Sequence, residues 1–164
     1  MIRIDIPATS ANLGSGFDSL GIALTMCNRV WMEEADELKI TTTDKIKVPT
    51  DETNLIYWAA RHLYQICGKT LPGLHIIQEN NIPMARGLGS SSACIVAGIL
   101  GASRMLGSPM SQSDLINLAA QIEGHPDNTS PAISGGLVAS AMEGKRVYSV
   151  SVPVSGKISF AVMI

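Results

Sequence analysis

The sequence predicts an α+β fold, with helices laid against one face of a sheet. Three observations carry that expectation. Period-two apolar alternation marks the start of the chain and short strand-like runs mark its end. Between them, apolar residues recur at three- and four-residue steps, the spacing of a helix face. The length, 164 residues with 46% hydrophobic, is enough for one compact domain with a sizeable core.

At the amino terminus, Ile2, Ile4 and Ile6 alternate with Arg3 and Asp5, which predicts a strand buried on one face and ended by Pro7. A small-residue loop follows over 8–16, and apolar character resumes over 17–24. Residues 29–34 and 38–42 read as two further strands joined by the polar turn 35–37. From Asn54 onward, Ile56, Ala59, Ala60, Leu63, Ile66 and Cys67 keep helical spacing, with Gly68 where a helix end needs it. Residues 74–78 form a short strand candidate. Residues 93–106 are apolar on nearly all sides, which predicts a central, buried helix. Ser111-Gln-Ser-Asp114 is a capping-box-like start for a third helix over 114–123. Residues 136–141, 146–152 and 157–164 read as strands. The last run carries no terminal turn, so the expectation is a first domain over 1–154 and the opening strand of a second over 155–164.

Composition removes several classes of function. Net charge is −2 with no run of Lys or Arg, which argues against a nucleic-acid surface. No apolar stretch reaches the length of a membrane span, and the first residues lack the features of a signal peptide. Cys27, Cys67 and Cys94 show no metal-ligand spacing and His62, His75 and His125 are scattered. That pattern reads as reduced thiols in a cytoplasmic protein without a zinc site.

Three segments carry chemistry. Pro83-Met-Ala-Arg-Gly-Leu-Gly-Ser-Ser-Ser-Ala93 places two glycines and three hydroxyls at the start of an apolar helix. Free N–H groups and the helix dipole there favour an anion such as a nucleotide phosphate. The same residues also serve as a plain Gly/Ser helix cap. The run is not a Walker loop, which ends in Gly-Lys-Ser/Thr, nor the Rossmann fingerprint, whose third Gly is Ser92 here. Pro7-Ala-Thr-Ser-Ala-Asn-Leu-Gly-Ser-Gly-Phe-Asp18 gathers polar groups and one carboxylate after a strand. It can orient a small polar substrate or simply form a turn-rich connection. Glu123-Gly-His-Pro-Asp-Asn128 offers carboxylates suited to a hard cation and a histidine, or else a polar helix-end turn.

Taken together, in this order and spacing, the three segments resemble the homoserine kinases of the GHMP superfamily over essentially the whole chain. The Gly87-Leu-Gly-Ser-Ser-Ser-Ala93 loop is similar to that of all GHMP kinases. The Asn12-Leu-Gly-Ser-Gly-Phe-Asp18 run and His125-Pro-Asp-Asn-Thr-Ser-Pro-Ala132, with Gly135 and Gly136, point to homoserine kinases within it. The resemblance implies a ribosomal-protein-like two-layer α+β domain with a left-handed βαβ crossover, followed by a ferredoxin-like domain largely missing here. It implies transfer of the γ-phosphoryl of ATP to L-homoserine, a step of threonine biosynthesis, in a cytoplasmic enzyme and possible homodimer with no nucleic-acid or membrane partner.

Residue by residue, the resemblance implies that Pro83, Met84, Ala85, Arg86, Gly87, Leu88, Gly89, Ser90, Ser91, Ser92 and Ala93 wrap the phosphates, with Asn54 contacting the nucleotide. Ser91 and Glu123 would be Mg²⁺ ligands, and Asn12 and Asp18 would hold homoserine. His125, Asp127 and Asn128 would form the catalytic group beside the transferred phosphoryl. Many GHMP kinases place an Asp as base where this chain has Asn128, and Asn cannot accept a proton. Positioning and charge neutralisation can then carry most of the rate, with Asp127 ranked first as an orienting group and second as a base. The residues that would bind the homoserine carboxylate are expected in the second domain.

Overall fold

In the computed structural model, which describes residues 1–161, a six-stranded sheet carries four helices. The strands are β1 (Ile2–Ala11), β2 (Leu20–Glu34), β3 (Lys39–Thr42), β4 (Leu74–Glu79), β5 (Leu137–Glu143) and β6 (Arg146–Val152). The helices are α1 (Leu55–Ile66), α2 (Ser90–Met105), α3 (Gln112–Glu123) and α4 (Thr129–Ser134). Strand order is β3-β4-β2-β5-β6, with β1 lying beside β2. Every pairing is antiparallel except β3 with β4, whose parallel register is connected through α1 as a βαβ unit.

Alternation along the strands decides which face meets the helices. Ile4 and Ile6 of β1, Val30 and Met32 of β2, and Leu74 and Ile76 of β4 are buried in one core with Ile56, Leu63, Val96 and Ile99 from α1 and α2. Each such side chain contributes about 1.5–3 kcal/mol on leaving water. The opposite face is mixed, with Trp31 and Ile77 beside charged residues. There Asp5, Arg29 and Glu79 share one row across β1, β2 and β4, and Arg29 Nη1 lies 2.6 Å from Glu79 Oε1.

Helix α2 is central, as its apolar sequence predicts, and its small residues explain how close it sits. A Cβ on Gly98 would lie 2.3 Å from the Ile56 carbonyl of α1, and one on Gly101 would lie 2.4 Å from Met32 Sδ. Helix α1 ends as expected at Gly68 (φ 69°), in a Schellman closure from Lys69 N–H to the Tyr64 carbonyl at 2.8 Å. Ser111 caps α3 by accepting from the Asp114 N–H at 3.2 Å.

Three expectations are corrected, and one helix is added where no element was expected. Pro7 does not end β1, which runs on to Ala11 past an irregularity between Pro7 and Thr9. β1 pairs only with β2, and an edge strand tolerates a residue without an N–H. The apolar run from Leu20 to Leu24 and the run 29–34 belong to one 15-residue strand, β2, while residues 17–19 form a turn ahead of it. Residues 129–134 form the short helix α4, with Pro131 in its first turn, where the missing N–H costs little. Residues 157–161 are not strand; they are exposed, and the remainder of the expected strand, 162–164, lies outside the described residues.

Candidate active site

Three chain segments meet where β1 ends and α2 begins. Gly87 and Gly89 both take left-handed backbone, with φ of 69° and 64°, and Ala85 does so at 56°. Gly89 is the N-cap of α2 and, among the described residues, no side chain caps this 16-residue helix. The N–H groups at its first turn, with the positive end of its dipole, are therefore presented to an anion. Strand β1 fixes the loop from behind, since the Thr9 N–H donates to the Leu88 carbonyl at 3.1 Å. Leu88 is buried and anchors the turn, while Met84, Ala85, Arg86 and Gly87 are exposed.

A cavity of about 290 Å³ lies beside this loop, between the starts of α1 and α2, and Asn54, Leu55, Met84, Ser90 and Cys94 line part of it. Asn54 is buried, and its side chain is already in use. Its Oδ1 accepts from the Ile56 N–H at 3.0 Å as the α1 cap, and its Nδ2 donates to the Pro49 carbonyl at 2.8 Å. Shaping the cavity wall is thus the role its contacts support. Asn54→Ala should lower unfolding free energy by about 1–2 kcal/mol, read as a reduced urea midpoint with an unchanged m-value. An unaltered midpoint would contradict the cap.

Glu123 closes the 83–93 loop from the far side. The buried Ser92 hydroxyl donates to Glu123 Oε1 at 2.9 Å, and Ser91 Oγ lies 3.5 Å from Oε2. Ser92 therefore orients the carboxylate, and the exposed Ser91 hydroxyl is held less closely. Glu123 is the last residue of α3, before Gly124 at φ 98°. A carboxylate there faces the negative end of the helix dipole, a placement that local stability disfavours and functional sites commonly accept. Burial first, and the Glu123 charge second, push the neighbouring Cys94 thiol up to about 11. One carboxylate with adjacent hydroxyl oxygens fits a hard cation that arrives with phosphate oxygens of its own.

The loop 12–19 is pinned by its own polar groups. Asn12 Oδ1 accepts from the Asp18 N–H at 2.8 Å, and the Asn12 N–H donates to the Leu20 carbonyl at 3.0 Å. Asn12 and Asp18 both hold positive φ, 57° and 51°, a conformation these two residue types tolerate best. The Asp18 carboxylate is exposed and makes no hydrogen bond or ion pair among the described residues. Arg29 is paired with Glu79 on the other sheet face.

The segment 125–128 joins these parts. Asp127 is 1% exposed, and its Oδ1 contacts the His125 ring Nδ1 and accepts from Asn128 Nδ2 at 3.2 Å. Its Oδ2 is buried without a hydrogen-bond partner among the described residues. Asn128 Oδ1 accepts from the Thr9 hydroxyl at 2.7 Å. A Cβ on Gly21, the second residue of β2, would lie 1.7 Å from the Asp127 carbonyl, so only glycine permits this approach. Asn54 thus shares a cavity with Met84, Ser90 and Ser91, Ser91 and Ser92 face Glu123, and Asn128 reaches Thr9. Among the described residues, the Asn12 and Asp18 side chains make no bond beyond their own loop. Thr9 stood inside the first motif, but nothing in the sequence placed it against a residue 119 positions away.

Comparison with known proteins places the chain in a family. Residues 54–136 match the family model for the GHMP kinases N terminal domain. The chain belongs to the GHMP kinase family. It is similar to homoserine kinases from Clostridium botulinum and Caldicellulosiruptor bescii, 43% identical over all of this chain and over 55% and 54% of theirs. The chain spans about half the length of the curated relatives it matches. A solved homoserine kinase from Cytophaga hutchinsonii aligns with a TM-score of 0.81 at 30% identity, over 94% of this chain and 52% of that one. The mevalonate kinase of Methanococcus jannaschii shares the fold, with a TM-score of 0.70 at 16% identity over 92% of this chain and 56% of that one. The GHMP model begins at residue 54, so the 12–18 loop is covered only by the whole-chain relatives.

Proposed function

We propose that this chain is the nucleotide-binding part of a homoserine kinase, which transfers the γ-phosphoryl of ATP to the hydroxyl of L-homoserine. One observation carries the reading. Thr9 ties the strand that leads into the Asn12–Asp18 loop both to the phosphate loop, through Leu88, and to Asn128, so acceptor and donor ends share one site. No helix among the described residues is long and apolar enough to cross a membrane. The unpaired thiols Cys27, Cys67 and Cys94 fit a cytoplasmic setting.

The chemistry follows from the donor set. ATP lies with its base side in the cavity beside Asn54 and its phosphates on the N–H groups at the start of α2. Ser91 and Glu123 would hold Mg²⁺, which would supply charge neutralisation for the phosphates. Asp18 accepts from the homoserine ammonium, and Asn12 offers its remaining amide N–H groups. As the homoserine oxygen bonds to the γ-phosphorus, the bridge to the β-phosphate breaks, ADP departs and the hydroxyl proton is released. Asn128 donates and orients but cannot take that proton. Asp127 holds His125 and Asn128 in place. A loose transition state needs little more from the protein than positioning and charge. The carboxylate of homoserine requires a partner that this account places in a second domain starting near Ser155.

A coupled ADP assay on the full-length protein tests the reading. L-homoserine should turn over at least about 100-fold better than mevalonate, because a site built around an ammonium leaves Asp18 unpaired with a ligand that lacks one. Equal use of mevalonate would overturn it.

A further inference from the structure

The Asp127–Asn128–Thr9 chain fixes an amide that could otherwise face either way. A carboxylate oxygen accepts hydrogen bonds, so Asp127 Oδ1 at 3.2 Å selects the Asn128 nitrogen. Asn128 Oδ1 must then face Thr9, and the Thr9 hydroxyl must donate to it at 2.7 Å. One N–H of Asn128 stays uncommitted. This bond lies directly over the turn that opens the phosphate loop: a Cβ on Gly89 would be 2.0 Å from Thr9 Oγ1 and 3.1 Å from Asn128 Oδ1. Thr9 itself is fully buried and cannot swing clear.

We propose that Thr9 is a positioning residue, whose hydroxyl holds the Asn128 amide in the orientation that Asp127 selects, with the free N–H, not the carbonyl, turned to the transferred phosphoryl. The reaction it serves rests on the homoserine kinase reading; the geometry does not. Thr9 acts through Asn128 and touches neither substrate in this account.

Two substitutions separate orientation from packing in the full-length protein. Thr9→Val keeps the buried volume and removes the donor, and water can reach the half-buried Asn128. Its Tm should hold while kcat falls about 10- to 100-fold and KM for ATP stays within about twofold. Thr9→Ser keeps the donor and removes a buried methyl, so Tm should fall while kcat stays within about threefold. The Asn128 side-chain amide signal in a ¹⁵N spectrum, identified by its loss in Asn128→Asp, should shift in Thr9→Val and hold in Thr9→Ser. If Thr9→Val does not fold, Thr9→Ala against Thr9→Ser decides the same point. Wild-type kcat in the Val or Ala variant, an equal kcat loss in the Ser variant, or an unmoved amide signal would overturn the proposal. If the wild-type enzyme prefers another alcohol, the function reading fails, yet the same comparison on that alcohol still decides the role of Thr9.

Discussion

Glu123→Gln should cost about 2–4 kcal/mol of transition-state stabilisation, seen as a fall of roughly 30- to 1000-fold in kcat/KM at limiting Mg²⁺. The substitution keeps the hydrogen bond from Ser92 at 2.9 Å and removes only the charge that a cation and its phosphates need. Stability should move the other way. Glu123 is the last residue of α3, with no basic residue in that turn, so neutralising it relieves about 0.3–1 kcal/mol of unfavourable dipole interaction. A variant that is as stable as wild type or more so, yet far slower, is the signature of a residue kept for chemistry. Full activity at limiting Mg²⁺ would remove Glu123 from the metal site.

Gly89→Ala should reduce nucleotide binding and stability together, and Gly89→Val more severely. Left-handed backbone at φ 64° costs an L residue about 1–2 kcal/mol. The added Cβ would in addition stand 2.0 Å from the buried Thr9 hydroxyl, which is held by Asn128. Gly87 provides the control. It has nearly the same φ, 69°, but a Cβ there meets nothing within 4 Å, so Gly87→Ala should lose only the backbone cost of about 1–2 kcal/mol. Urea unfolding of the two alanine variants checks this. Equal losses would mean that the Thr9 contact does not constrain the loop.

Much of the fold was legible because its signals are local. Alternating Ile2, Ile4 and Ile6, the Gly68 closure and the Ser111 cap each report their own few residues, and the structure follows them. What failed depends on distant partners. Pro7 looks like a strand end until β1 is seen to pair on one side only. Helix α4 spans six residues, too few to show a period, and carries a proline. In the site, the 83–93 loop and Glu123 could be named from motif and chemistry. The preference of Glu123 for Ser92 over Ser91, and the reach of Thr9 to Asn128, arise from where helix α2 and strand β1 come to lie. Residue types alone do not carry that information.

The account turns on a phosphoryl group moving from ATP to the homoserine oxygen. Phosphorus-31 NMR of the full-length protein with Mg-ATP and L-homoserine follows that transfer directly. The expected result is a phosphomonoester signal growing in step with ADP, absent without homoserine and greatly slowed in Glu123→Gln. Inorganic phosphate appearing in its place, at a rate indifferent to homoserine, would contradict the account.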